Sequence, residues 1–163
     1  MRAKKSITAK EALVKAQNLC AAREKCEADI RKKLFDWKLP AAYHDEVIKK
    51  LKDDQFIDED RFAKYFVSDK FRYNKWGKVK IEFALKQKSI SHHSIKEALG
   101  TIPDSDYNKL LENELIKKLK SLKDADEYTT KSKLIRFAVS RGFENGKVFD
   151  MVSEIIEMHK NKS

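Results

Sequence analysis

The chain has 163 residues, of which 41% are apolar and 38% charged, and carries a formal net charge of +10. With only 4 Gly and 2 Pro, it lacks the turn residues that an all-β or Rossmann-like fold would need. No apolar run is long enough to span a bilayer and no signal-peptide core opens the chain, so a cytoplasmic protein without membrane contact is expected.

In chain order, a first helix is predicted over 8–22. It is followed by the segment Asp29-Ile30-Arg31-Lys32-Lys33-Leu34-Phe35-Asp36-Trp37-Lys38-Leu39. Ile30 and Leu34 are one helical turn apart on one face, and Leu39 falls just past the helix end, where an apolar residue packs back on the last turn. Pro40 suits the start of a third helix, whose buried face would carry Ile48 and Leu51. The same order then returns. A long helix is predicted over 60–72, followed by the anchors Ile81, Leu85 and Ile90, then Leu99 and Ile102. It returns again with a helix over 105–121, the anchors Leu134, Ala138 and Phe143, then Val152 and Ile155. In the third copy Gly142, the residue type best suited to a left-handed cap, precedes the anchor. Three copies with identical spacing make a repeat. Each unit reads as a long helix and a helix-turn-helix pair, giving an all-α fold of nine helices. The boundaries are set at 1–57, 58–102 and 103–163.

Acidic residues mark the starts of new units. Asp58-Glu59-Asp60 and Asp104-Ser105-Asp106 stand where capping side chains and carboxylates favour the helix dipole. That reading outweighs a metal site, because no His or further carboxylate stands at ligand spacing. The ends, 1–7 and 158–163, are polar and expected to fray.

Nothing in the sequence forms a catalytic constellation. Of the four histidines, His44, His92, His93 and His159, the adjacent pair is expected in a turn as solvated or capping groups. Cys20 and Cys26 match no standard zinc spacing and suit small buried apolar positions in a reducing compartment. There is no glycine-rich phosphate loop. The expectation is a non-enzyme with no cofactor and no metal.

The charge points to a polyanionic partner. Residues 1–57 hold 14 basic against 9 acidic groups, 58–102 hold 10 against 6, and 103–163 hold 12 against 11, so contact is expected in the first two thirds. The densest run is 70–88, with Lys70, Arg72, Lys75, Lys78, Lys80, Lys86 and Lys88 against Glu82 alone. Phe71, Tyr73 and Trp76 interleave with it, as on nucleic-acid surfaces; the competing reading is a solvated helix face with its aromatics in the core. Arg31, Lys32 and Lys33 in the first copy, and Arg136 and Arg141 in the third, complete the candidate contacts. Few Asn, Gln or Arg are placed to read base edges, so DNA binding would be backbone-directed, weak and salt-dependent.

The residues Phe56-Ile57-Asp58-Glu59-Asp60-Arg61-Phe62-Ala63, then Trp76-Gly77 and the Ile81…Leu85…Ile90 run, resemble the central signature of the RecX family, bacterial regulators of the RecA recombinase. Ile30-Arg31-Lys32-Lys33-Leu34 resembles that family's first module, and Arg136-Phe137-Ala138 with Arg141-Gly142-Phe143 its third. Two positions depart from the pattern: Ser89-Ile90 stands where the family usually has Gly-Ile, and the first copy has Lys38-Leu39. The linker around 121–129, with Asp124, Asp126 and Glu127, is acidic, unlike a DNA contact. The resemblance implies three tandem three-helix repeats in an elongated, curved monomer. It also implies binding to the RecA–single-stranded DNA filament, with inhibition of recombinase, ATPase and coprotease activities and hence damping of the SOS response. The alternatives are a stand-alone, nonspecific DNA-binding helical module, predicted from charge alone, and a repeat scaffold for another protein.

Overall fold

A computed structural model describes residues 6–123 and 125–162. Among them are nine α-helices: α1 (Ala9–Ala22), α2 (Glu27–Asp36), α3 (His44–Asp53), α4 (Glu59–Arg72), α5 (Lys78–Gln87), α6 (His92–Leu99), α7 (Asp104–Ser121), α8 (Glu127–Ser140) and α9 (Asn145–Asn161). A short 3-10 turn, Ala41–Tyr43, follows Pro40 and leads into α3. The three long first helices fall where apolar periodicity predicts them. α9 continues to Asn161, so the expected fraying from 158 is not seen there; residues 1–5, Asp124 and Ser163 lie outside the described residues.

Helix starts follow capping chemistry. The Thr8 hydroxyl accepts the Glu11 N–H at 3.1 Å, Asp58 accepts that of Arg61 at 2.9 Å, and Asp126 accepts that of Thr129 at 2.6 Å, each satisfying an N–H that the helix leaves unpaired. His92 and His93 are the first residues of α6 rather than turn residues. That helix is only 8 residues long, so Ile102 follows it in the turn instead of extending its buried face. Leu99 is half-buried and Ile102 buried.

All three second helices end the same way. Leu39 N–H donates to the Leu34 carbonyl at 3.0 Å, Ile90 N–H to Leu85 at 3.2 Å and Phe143 N–H to Ala138 at 3.2 Å. The preceding residue is left-handed in each copy, with φ 62° at Lys38, 61° at Ser89 and 94° at Gly142. This is the six-to-one closure of a Schellman cap. The two copies without glycine therefore close as the third does.

The chain divides into two compact units. One comprises the described residues as far as Tyr65 together with Leu85–Ile95; the other comprises Phe66–Ala84 together with the described residues from Lys96 onward. In the first, α1, α2 and α3 pack mutually around Ala12, Ala16, Ile30, Leu34, Leu39, Ile48 and Leu51; Leu85 and Ile90 are also buried there. In the second, α7, α8 and α9 pack mutually, burying Leu111, Leu115, Leu134, Ala138, Phe143, Val148 and Val152. Ile81 is buried in this unit as well.

Candidate nucleic-acid interface

Of the basic run, Lys70–Lys80 belong to the second unit, and Lys86 and Lys88 to the first. In the second unit, α4 ends at Arg72 and a tight loop carries Tyr73–Gly77 into α5. Lys75 takes a positive φ of 58° and its ammonium donates to the Arg72 carbonyl at 2.6 Å. The Trp76 N–H donates to the Lys70 carbonyl at 3.1 Å. The loop is fixed from the far side by the third repeat. Gly77 N–H donates to the Arg141 carbonyl at 2.7 Å and Val79 N–H to the Gly142 carbonyl at 2.9 Å.

Close approach explains both glycines. A Cβ on Gly77 would lie 2.4 Å from the Gly142 carbonyl and the Phe143 nitrogen, and one on Gly142 would lie 2.2 Å from the Lys80 Cβ. Neither position has room for a side chain.

This frame sets the cations among rings. Lys80 Nζ stands 4.6 Å and Lys70 Nζ 5.2 Å from the Trp76 ring centroid, within cation–π range. Lys70 also lies over Phe66, at 5.4 Å, and 3.8 Å from the Asp69 carboxylate. Lys78 and Lys147 lie over Tyr107, at 4.8 and 5.8 Å. Arg141 stacks on Phe137 at 5.1 Å and donates to the Asn74 carbonyl at 3.4 Å. Arg72, Tyr73 and Arg136 are exposed. The segment thus presents ammonium and guanidinium groups on a rigid turn, a chemistry that suits phosphate oxygens.

Tyr107, which the sequence reading passed over, anchors this region. Its ring packs on Phe71 and Phe143. Its hydroxyl accepts the Lys78 N–H at 3.0 Å and donates to Glu144. Burial, reinforced by the Glu144 carboxylate, holds the phenol far above its ordinary range, so it stays protonated as a donor. Its only sequence signal was one aromatic at helical spacing with Leu111 and Leu115.

In the first unit two of the candidates stand in ion pairs with short distances. Arg31 pairs with Asp45 at 2.9 Å and Glu27 at 3.3 Å, and Lys88 with Asp29 at 2.6 Å. Both are committed to internal pairs, which makes them poorer contacts than their charge suggests. Lys32, Lys33 and Lys86 are exposed.

The signature residues have structural roles. Arg61 donates to Glu24 at 2.7 Å and to the Gln55 and Phe56 carbonyls at 3.0 and 3.3 Å. Glu59 accepts the Ser91 N–H at 3.0 Å and Asp60 the Ser94 hydroxyl at 2.5 Å. Phe62, Ala63 and Ile90 are buried, and Phe56 packs against the first core. Among the described residues no group of three or more His, Cys, Asp or Glu could hold a metal ion, and no helix is long and apolar enough to cross a membrane. Cys20 and Cys26 are unbridged, and burial pushes the Cys26 thiol up to about 11.

The family model described as RecX, second three-helix domain, matches residues 58–99. A regulatory protein RecX of Chlorobium phaeobacteroides is 32% identical over 146 residues, covering 90% of this chain and 94% of that one. One of Clostridium botulinum is 32% identical over 161 residues, covering 93% and 74%. One of Clostridium acetobutylicum is 28% identical over 135 residues, and the match spans only 62% of its length. Two crystal structures share the fold. RecX from Lactobacillus salivarius has a TM-score of 0.79 at 17% identity, over 92% of this chain and 97% of that one. A second regulatory protein RecX has a TM-score of 0.78 at 23% identity, over 90% and 73%.

Proposed function

Because the chain belongs to the RecX family, we propose that it regulates the RecA recombinase by binding the RecA–single-stranded DNA filament. It would limit recombinase, ATPase and coprotease activity by contact, as a cytoplasmic monomer without catalysis of its own. The family relation carries this reading. The cation-bearing turn at 70–80 supports it by supplying groups for phosphates, and repeats bounded at 1–57, 58–102 and 103–163 would give several modest contacts whose combined avidity exceeds each alone.

The test is to titrate the chain into RecA on single-stranded DNA while following ATP hydrolysis. A fall in rate at or below equimolar chain is expected; an unchanged rate there refutes the proposal. Charge alone favours a second reading, a nonspecific DNA-binding module. That reading predicts tight binding to naked DNA with a steep salt slope and indifference to RecA.

A further inference from the structure

Three aromatic residues interleave with the cations of 70–80, and the structure leaves one of them open. Phe71 stacks on Tyr107, with ring centroids 6.2 Å apart. Trp76 is half-buried, with the Lys70 and Lys80 ammonium groups over its ring. Tyr73 is 79% exposed, and among the described residues its side chain has no hydrogen-bond or ring partner.

The backbone at Tyr73, by contrast, is held. Its N–H donates to the Asp69 carbonyl at 2.9 Å, extending the hydrogen-bond pattern of α4. The Arg72 carbonyl before it accepts the Lys75 ammonium at 2.6 Å, and the Asn74 carbonyl after it accepts the Arg141 guanidinium at 3.4 Å. A ring on so fixed a stem has little freedom left to lose, so covering it costs little entropy. Arg72 beside it is exposed and, among the described residues, has no carboxylate partner. Asp69, one turn back along α4, has the Lys70 ammonium 3.8 Å away. Exposure alone does not make a ring a site. Tyr128 is 82% exposed, but it follows Asp126 and Glu127, whose charges repel a phosphate backbone. Tyr73 stands between Arg72 and Lys75, where a phosphate is attracted.

We infer that Tyr73 stacks on an unpaired base while Arg72 takes the adjoining phosphate, so that the turn prefers single-stranded nucleic acid to duplex. Every base has a π-face, and a single strand exposes it. In a duplex the neighbouring pairs cover both faces, so a duplex meets only the charge of the turn. The inference rests on the proposed function and adds to it a chemical basis for strand choice.

The experiment measures the affinity of the full chain, and of Tyr73→Ser and Tyr73→Phe, for an oligo-dT strand, an abasic strand of the same length, a duplex, and RecA filaments on oligo-dT. Tyr73→Ser should bind naked oligo-dT at least about fivefold more weakly than the parent. It should bind the abasic strand and the duplex within about twofold of the parent. Tyr73→Phe keeps the ring and should match the parent on every probe, and thermal melts of all three chains should coincide. The inference is overturned if Tyr73→Ser binds oligo-dT within about twofold of the parent. An equal loss on the abasic strand also overturns it, since Tyr73 would then shape the turn instead of stacking. So does a loss confined to RecA filaments, which would make Tyr73 a protein contact, or a parent that binds none of the naked probes. The proposed function is read separately, from RecA ATP hydrolysis. A fall in that rate with no Tyr73 effect on oligo-dT sinks the inference alone. A Tyr73-dependent oligo-dT complex that leaves RecA untouched sinks the function alone.

Discussion

Replacing Lys38 and Ser89 by glycine should stabilise the chain. Both residues sit at φ near +60° in caps whose closing hydrogen bonds are fully formed at 3.0 and 3.2 Å. A left-handed backbone brings the Cβ against the carbonyl and costs a non-glycine residue about 1–2 kcal/mol. Glycine escapes that penalty but loses about 0.4–1 kcal/mol through its greater freedom in the unfolded chain. Both side chains are exposed, so little else is removed, and the net gain is about 0.5–1 kcal/mol per site. The two sites cap different helices and their caps share no hydrogen-bond partner, so the gains should add. At about 2–4 °C per kcal/mol for a chain of this size, the double variant should melt about 2–8 °C higher by far-UV circular dichroism. A melting temperature that is unchanged or lower would refute the reasoning, since it would mean that the caps carry no strain for glycine to relieve.

Leu85→Asp should cost at least about 3 kcal/mol, by placing a carboxylate where the parent side chain is 0% exposed and no partner is built to meet it; retention of the parent melting temperature contradicts the anchor register. Lys75, Lys78 and Lys80 reversed together to Glu should weaken binding to single-stranded DNA and flatten the log–log salt slope by about 2, at about 0.7 per phosphate contact, while circular dichroism stays helical. Burial alone would raise the Asp29 carboxyl, but the Lys88 ammonium and the Cys26 N–H hold it below its ordinary value. The pair's stability is therefore complete above about pH 3.9, the unfolded carboxyl value, and is lost as pH falls through the lower folded value. In urea melts the destabilisation caused by Asp29→Asn should shrink on going from neutral pH to below that range.

What was legible in the sequence was local. The four-then-five spacing of Ile30, Leu34 and Leu39 encodes one helical turn and a cap, and both are present. The caps closed even where Lys38 and Ser89 replace glycine, because the anchor's burial outweighs a local strain of about 1–2 kcal/mol. The roles of the signature residues were not legible. Arg61 meets Glu24, 37 residues earlier, and no periodicity links them. Linear charge density failed for the same reason. Lys88 looked like part of a basic run until the fold brought Asp29, 59 residues away in sequence, within 2.6 Å.

The third repeat is nearly neutral in sequence, which places the polyanion contact in the first two thirds, yet its backbone holds the basic turn. The Arg141 and Gly142 carbonyls accept the Gly77 and Val79 N–H groups, and the Lys80 Cβ lies where a Gly142 side chain would have to go. The position of the basic turn thus depends on a residue of the third repeat that carries no charge. Gly142→Ala meets both obstacles at once, a φ of 94° and an approach of 2.2 Å to Lys80. Gly77→Ala meets only the steric one. Overpacking of this kind costs about 1–3 kcal/mol or more, and the left-handed backbone adds about 1–2, so the Gly142 variant should be the less stable. Displacing Lys80 should also move its ammonium off the Trp76 ring. In a Trp37→Phe background, where Trp76 is the sole tryptophan, Gly142→Ala should therefore shift the emission maximum and reduce DNA affinity below the denaturation range. An unshifted maximum with unchanged affinity would show that the third repeat does not position the turn.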